Sequence, residues 1–447
     1  MDEDEDSDWR ILPRGKWDRE RWWYKLTHIC QRWRYLVLGS ASYLGLLLIC
    51  TYRTPVADVL EHSPPLPLII DYAGLDRDIT LEDELGIMLA LQRRNRVRRI
   101  RICMPIGLWG KLIMAMNYEF PTLEDLYIRS AIGDHVHLVL PKRFQAPHLR
   151  RLALYNFAFP LGPPIVTTAV GLVTLSLQGI HLSIYFHPNC LLQPLSLMPQ
   201  LEALLIDFRS PVPDRDVEMH TPIMTHVILP NLRRFGFCGV SAYSEALLSQ
   251  MATPFLEKFQ IQFPDQPTFS VPHLPEFISR AKNLRFSGAA SARMGFSPRD
   301  VWVVVNPPYV VAHRQRHFLL TVKCGHLDKQ VTSVAQLFNP LKAVFPPVEG
   351  LILEYWEPTM SLEWNNEADR TQWRELFRSF SNVKTLRVDN GLVTRLSDSL
   401  RLDDGESPIL PELKELSYSA SCDAGDAFTA FIDARQKAGH PVTLYRF

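Results

Sequence analysis

Two histidines one residue apart, His135 and His137, come closer than anything else in this sequence to a metal-ligand pair. On a strand that spacing turns both imidazoles to one face, as two ligands of a tetrahedral centre would be. The only adjacent carboxylate is Asp134, and no cysteine or acidic cluster stands near it. The pair therefore reads as two polar strand positions, and no metal is expected. The sequence contains no G-x-S-x-G elbow and no phosphate-cradling glycine loop. Seven cysteines (Cys30, Cys50, Cys103, Cys190, Cys238, Cys324 and Cys422) are odd in number, scattered, and form no C-x-x-C pair. They read as apolar thiols of a reducing compartment, not as a disulfide frame or zinc site. With no clustered acid, base and nucleophile, neither enzymatic activity nor a cofactor is expected.

Guanidinium chemistry is what remains. Arg93, Arg94, Arg96, Arg98, Arg99 and Arg101 crowd one short run. Such a run is either a nuclear signal or nucleic-acid patch, or a helix end followed by a charged strand. The formal net charge of +0 provides no wider basic field, so the second reading is preferred and nucleic acid is not an expected partner. Hydrophobic residues make up 47% and charged residues 21%, proportions of a packed chain and not a disordered one.

The second half of that run, Val97-x-x-Ile100-x-Ile102, is one instance of a phrase repeated along the chain. Its cleanest form is Leu149-x-x-Leu152-x-Leu154, and its last three residues alternate as a half-buried strand does. Others are Leu123-x-x-Leu126-x-Ile128, Leu172-x-x-Leu175-x-Leu177, Leu201-x-x-Leu204-x-Ile206, Leu232-x-x-Phe235-x-Phe237, Leu256-x-x-Phe259-x-Ile261 and Ala281-x-x-Leu284-x-Phe286. After a gap come Val348-x-x-Leu351-x-Leu353, Val383-x-x-Leu386-x-Val388 and Leu413-x-x-Leu416-x-Tyr418. From Ile100 to Leu284 the central positions step by 26, 26, 23, 29, 31, 24 and 25 residues. Leucine-rich repeats recur at about 20–29 residues. The pattern resembles that family in an irregular form, since the Asn or Cys that should follow the last leucine is mostly missing. The resemblance implies strand-and-return units stacked into an α/β solenoid with a parallel sheet, because one unit cannot bury its own apolar face.

In that geometry the intervening residues line the concave sheet. They are Arg98, Arg99 and Arg101; Glu124, Asp125 and Tyr127; Arg150 and Arg151; and Arg233 and Arg234. Later phrases add Glu257, Lys258, Gln260, Lys384, Arg387, Lys414 and Glu415. Paired cations alternating with acidic repeats suit a face that binds a protein partner. Simple solubilisation of the sheet is the other reading.

The amino end is of a different kind. Trp23, Leu26, Cys30, Trp33 and Val37 recur at steps of three and four, with Trp22, Ile29 and Leu36 widening the stripe and Gly39-Ser40 ending it. The spacing predicts one amphipathic helix. The stretch from Leu26 to Leu36, with Ile29-Cys30 and Trp33 and then Ser40 and Leu44, resembles the second half of an F-box. With Cys50–Val56 and Ser63–Ile70 it looks like the F-box-type proteins of mushroom-forming fungi. That resemblance implies docking to the Skp-family linker of a cullin ubiquitin ligase through Leu26, Ile29, Trp33 and Leu36. It also implies a Leu-Pro helix roughly thirty residues before the tryptophan. Here Leu12-Pro13 precedes Trp33 by 33 − 12 = 21 residues, so the first F-box helix is expected to be missing or replaced by the acidic start. A plain cap on the open end of the stack is the competing reading.

The expected organisation is thus an F-box-like helical segment over 1–60 and an irregular repeat region over 61–447, least regular at 287–347. Leu66–Tyr72 should be its first strand. Thr80 should cap a helix whose apolar face is Leu85, Met88, Leu89 and Leu91. Val301–Val305 and Leu320-x-Val322 read as strands inside the irregular region, and Ala427–Ala438 as a helix before a closing strand at Val442-x-Leu444. The start Met1-Asp2-Glu3-Asp4-Glu5-Asp6 is no secretory signal, and the apolar run Tyr43–Cys50 is too short for a bilayer. An intracellular protein, cytoplasmic or nuclear and not in a membrane, is expected. Its function would be that of an interaction adaptor recognising substrates for a Skp–cullin–F-box ligase, or a stand-alone repeat scaffold.

Overall fold

The computed structural model describes residues 22–40, 46–74, 77–130, 138–158, 168–181, 186–208, 225–284, 290–306, 317–345, 348–356, 368, 370–400, 409–419 and 428–446. The chain is a mixed α/β protein with extensive, mostly parallel sheet and twelve helices among those residues. It divides into two compact units, Met1–Arg209 and Ser210–Phe447.

In the first unit the sheet strands are β1 (Leu48–Thr51), β2 (Leu68–Tyr72), β3 (Val97–Met104), β4 (Asp125–Ser130), β6 (Arg151–Tyr155), β8 (Thr174–Ile180) and β9 (Ala203–Phe208). They lie side by side in chain order, all parallel. The short strands β5 (Leu138–Val139) and β7 (Phe157–Ala158) pair apart from it. The helices are α1 (Trp22–Thr27), α2 (Gln31–Gly39), α3 (Val56–His62), α4 (Leu81–Gln92), α5 (Trp109–Ala115) and α6 (Pro188–Leu195).

The phrase accounts for this order at the level of single hydrogen bonds. The N–H of Leu123, Leu149, Leu172 and Leu201 each donates to the carbonyl three residues earlier, closing one tight turn before each strand. The next residue's carbonyl then joins the repeats: Glu124 accepts from Arg150 and Arg151, Arg150 from Val173 and Thr174, and Val173 from Glu202 and Ala203. With turn and rung fixed, the central residues must align. Ile100, Leu126, Leu152, Leu175 and Leu204 sit opposite one another, each no more than 2% exposed. Ile102, Ile128, Leu154, Leu177 and Ile206 form a second such row.

Three expectations are corrected here. The end of the apolar run, Leu48, Ile49 and Cys50, lies in β1, buried and paired with β2. Sheet therefore begins inside the stretch expected to be helical over 1–60, and Leu66–Tyr72 is not the first strand. The amino-terminal helix is two, because Cys30 adopts extended backbone and breaks it. Finally, α4 is rotated from its expected face. It buries Gly86, Ile87, Ala90 and Leu91 and leaves Leu85 and Leu89 exposed. Gly86 explains the rotation: a β-carbon there would sit 2.9 Å from Val56 Cγ2, so its bare backbone lets α3 and α4 close together.

The second unit holds β11 (Arg234–Cys238), β13 (Lys258–Pro264), β14 (Ala290–Phe296), β15 (Val301–Asn306), β16 (His317–Lys323), β17 (Val348–Tyr355), β18 (Thr385–Val388), β19 (Glu415–Tyr418) and β20 (Thr443–Arg446). The strands β10 (Val227–Ile228) and β12 (Met251–Ala252) pair separately. Its helices are α7 (Ser241–Leu248), α8 (His273–Arg280), α9 (Leu327–Leu341), α10 (Arg370–Arg378), α11 (Asn390–Leu400) and α12 (Thr429–Lys437). The same turn recurs at Leu232, Leu256, Leu284, Val383 and Leu413.

Chain order fails only at β14–β16. The order is β11-β13-β16-β15-β14-β17-β18-β19-β20, with β15 antiparallel to both neighbours. Within the irregular region 287–347, β14, β15 and β16 thus pair antiparallel in the sheet, and α9 follows them. Val301, Val303 and Val305 are buried on the core face of β15. Phe318 of β16 stands beside Phe259, with ring centroids 5.7 Å apart; Phe286 lies outside the described residues.

Candidate protein-interaction surfaces

The expected concave-face residues of the first unit are brought together by the register. On the sheet face opposite the leucine rows, Arg99, Asp125 and Arg151 form one line across β3, β4 and β6. Asp71, Arg101 and Tyr127 form the next, and Cys103, Arg129, Tyr155 and Gln178 the third. Much of this charge is spent internally. Asp125 is only 4% exposed. Its Oδ2 accepts from Arg151 Nε at 3.0 Å and lies 3.9 Å from Arg99 Nε. Burial pushes the Asp125 carboxyl up in pKa, against the pull of Arg151, Arg99 and Arg101. Arg101 lies 3.9 Å from Asp71 and over the Tyr127 ring, 5.6 Å from its centroid. Arg129 sits over Tyr155 at 5.7 Å, and burial pushes the Tyr127 hydroxyl up in pKa against the pull of Arg129. Asp125 is therefore buried and Arg101 only partly exposed, and both hold their neighbours in place.

The strand-initial positions behave differently. Arg98, exposed, pairs with the half-buried Glu124 at 2.9 Å. In the second unit Arg233 pairs with Glu257 at 2.8 Å. Arg150 and Arg234 are exposed. Asp71, Arg129 and Tyr155 escaped the sequence reading although they complete the face. Asp71 lies in a strand without the phrase, and Arg129 and Tyr155 stand one place past its end. The alternation, carried one residue beyond Ile128 and Leu154, would have found the last two.

The basic run is consumed within the fold. Arg96 donates to the carbonyls of Leu66 and Pro64, Arg94 lies 4.2 Å from the Tyr118 ring centroid, and Arg98, Arg99 and Arg101 face carboxylates. The same device closes the second unit, where buried Arg435 donates to the carbonyls of Pro411 and Leu413.

At the amino end, α2 and the turn before it leave several apolar residues open. Ile29 is 60%, Trp33 46% and Leu36 56% exposed, Leu26 is half-buried and Val37 is buried. A helix acting as a cap would turn that face inward.

His135 and His137 lie outside the described residues. Among the described residues no group of three His, Cys, Asp or Glu stands where it could hold a metal ion. Burial pushes the Cys103 thiol up in pKa and takes that of Cys324 to about 12, so neither is a ready nucleophile. No helix among these residues is long and apolar enough to cross a membrane. Neither a scan against protein-family models nor a search of curated proteins returns a match to this chain.

Proposed function

We propose that this chain is a protein-interaction adaptor: an irregular leucine-rich repeat solenoid carrying an F-box-like helical pair, and a substrate-recognition subunit of a Skp–cullin–F-box ubiquitin ligase. The observation that carries the adaptor reading is the open apolar surface of α2 and the turn before it, where Ile29, Trp33 and Leu36 stand in solvent. Exposed clustered apolar side chains are costly unless a partner covers them. The repeated turn and rung supply what a solenoid requires, a unit that stacks only on its neighbours. The adaptor performs no bond chemistry. Its helices hold the ligase, its sheet face holds the target, and tethering raises the target's effective concentration near the charged enzyme.

A stand-alone repeat scaffold is the second reading, favoured by the short distance from Leu12-Pro13 to Trp33. A pull-down with a purified Skp-family linker separates the two. The adaptor reading expects recovery by the wild type and loss in Trp33→Ala with unchanged circular dichroism. Equal recovery by both, or recovery by neither, leaves the scaffold reading.

A further inference from the structure

Helix α4 inverts the usual sorting of side chains. It buries Asp83 and Glu84 and leaves Leu81 78%, Leu85 66% and Leu89 36% exposed. Specific bonds hold it that way. Asp83 accepts from the N–H of Thr80 and of Arg53, and Glu84 pairs with Lys111 of α5 at 2.9 Å. On the inner side Gly86 packs against Val56 of α3. The three leucines recur every fourth residue, so they form one stripe about 12 Å long on the outer face. Helix α5, joined to α4 by that ion pair, exposes Met114 as well. Clustered apolar side chains in solvent mark an interaction site.

The charges beside the stripe say what fits it. Glu82 stands near its start and Arg93 beyond its end, both exposed, and neither is in an ion pair among the described residues. At about 100° per residue the two lie within about 20° of each other around the helix, on one flank of the leucines, and about 16 Å apart along the axis. Consider a second copy of the helix laid antiparallel over the stripe, with the twofold axis perpendicular to the plane of the pair. That symmetry brings like flanks together and reverses their ends. Glu82 of each copy then faces Arg93 of the other, and Leu85 of each meets Leu89 of the other. A parallel pair would bring opposite flanks together and leave both charges unanswered.

We propose that α4 is a homodimer interface, in which the leucine stripes of two copies pack antiparallel and Glu82–Arg93 pairs fasten both ends. Self-association of this kind adds to the adaptor reading and does not depend on it. Three leucines and one methionine per copy make a small contact, so the dimer is of the weak, reversible class.

Sedimentation equilibrium of the full chain at about 1–100 µM, the range in which such a contact dissociates, tests this. The expected result is a mass that rises with concentration from 51.4 kDa toward twice that value. Leu85→Glu, at a position in solvent, should stay at the monomer mass with unchanged circular dichroism. Glu82→Arg and Arg93→Glu should each weaken association about tenfold, since each sets two like-charge contacts in place of two attractive ones. The two substitutions together should restore it, and that rescue carries the test if Leu85→Glu does not fold. A wild type that stays monomeric gives the stripe another occupant and overturns the proposal. Association unchanged in Leu85→Glu overturns it too, with loss in Trp33→Ala assigning the contact to α2 instead. A double charge variant no stronger than either single one does the same.

Discussion

Arg150 and Arg151 are neighbours in sequence with opposite duties. Arg151 holds a buried carboxylate, whereas Arg150 is exposed at the strand entrance. Arg151→Glu sets a second acid against Asp125 and should cost about 1–3 kcal/mol, the penalty of leaving a buried polar group unmatched. Arg150→Glu should leave the thermal midpoint within error, as exposed charges do. Equal midpoints for the two variants would show that Asp125 does not depend on Arg151. Glu245 gives a pH signature at the same scale. It is buried on α7 and accepts from the N–H of His273 and of Leu274, the latter at 3.1 Å, capping the next helix. Burial raises its pKa from 4.5 to about 7, against those two hydrogen bonds. The folded state then holds a proton that the unfolded state has released. This group's stabilising contribution is complete below about pH 4.5 and fades as pH rises through 7. Relative to Glu245→Gln, the wild type should lose stability between pH 5 and about 8. Parallel melting curves for the two proteins across that range would refute the assignment.

Among the elements, α4 shows how local and tertiary signals combine. Its Thr80 hydroxyl accepts from the Asp83 N–H, and the Thr80 N–H donates back to Asp83 Oδ2, both at 3.1 Å. Asp83 also accepts from the Arg53 N–H at 2.8 Å, tying the helix to the loop after β1. Burial opposes ionisation of Asp83, but the bonds from Thr80 and Arg53 outweigh it and hold the carboxyl below its usual range. Thr80→Ala should cost about 0.5–2 kcal/mol in chemical denaturation, the range for lost N-caps. No loss would mean that packing alone holds the helix start. The antiparallel pairing of β14 with β15 rests on a steric fit: Trp302 lies across Gly295, where a β-carbon would meet the indole at 2.2 Å. Gly295→Ala must displace that ring, and a red-shift or change in intensity of native tryptophan fluorescence would report it.

For each unit as a whole, stability follows from stacking. Leu152 lies between Leu126 and Leu175 in a row without solvent access, so Leu152→Ala should cost about 2–5 kcal/mol. A loss below about 1 kcal/mol would mean the row is not a shared core. Binding belongs to this scale too. Because Arg150 is exposed, Arg150→Glu is the cleaner probe of the sheet face. The adaptor reading expects it to weaken capture of an acidic or phosphorylated target while the fold survives.

The repeat was legible because a turn, a rung and two buried positions recur within each short phrase, and all are local. The α4 cap was legible for the same reason, since Thr80 and Asp83 are three residues apart. What the sequence could not decide is what depends on neighbours distant in the chain. The apolar run ending at Cys50 satisfies strand and helix patterns alike until β2 pairs with it. The face of α4 turns on Gly86 meeting Val56, and the antiparallel seat of β15 on which edges β13 and β17 leave open. The alternation marks Asp125 and Arg101 as polar positions without saying whether water or a guanidinium faces them. Lateral register put the arginines of the adjoining strands beside Asp125, so that the same residues became framework and not surface. Solvent exposure is a property of the assembled sheet, and it separated Arg150 from Arg151.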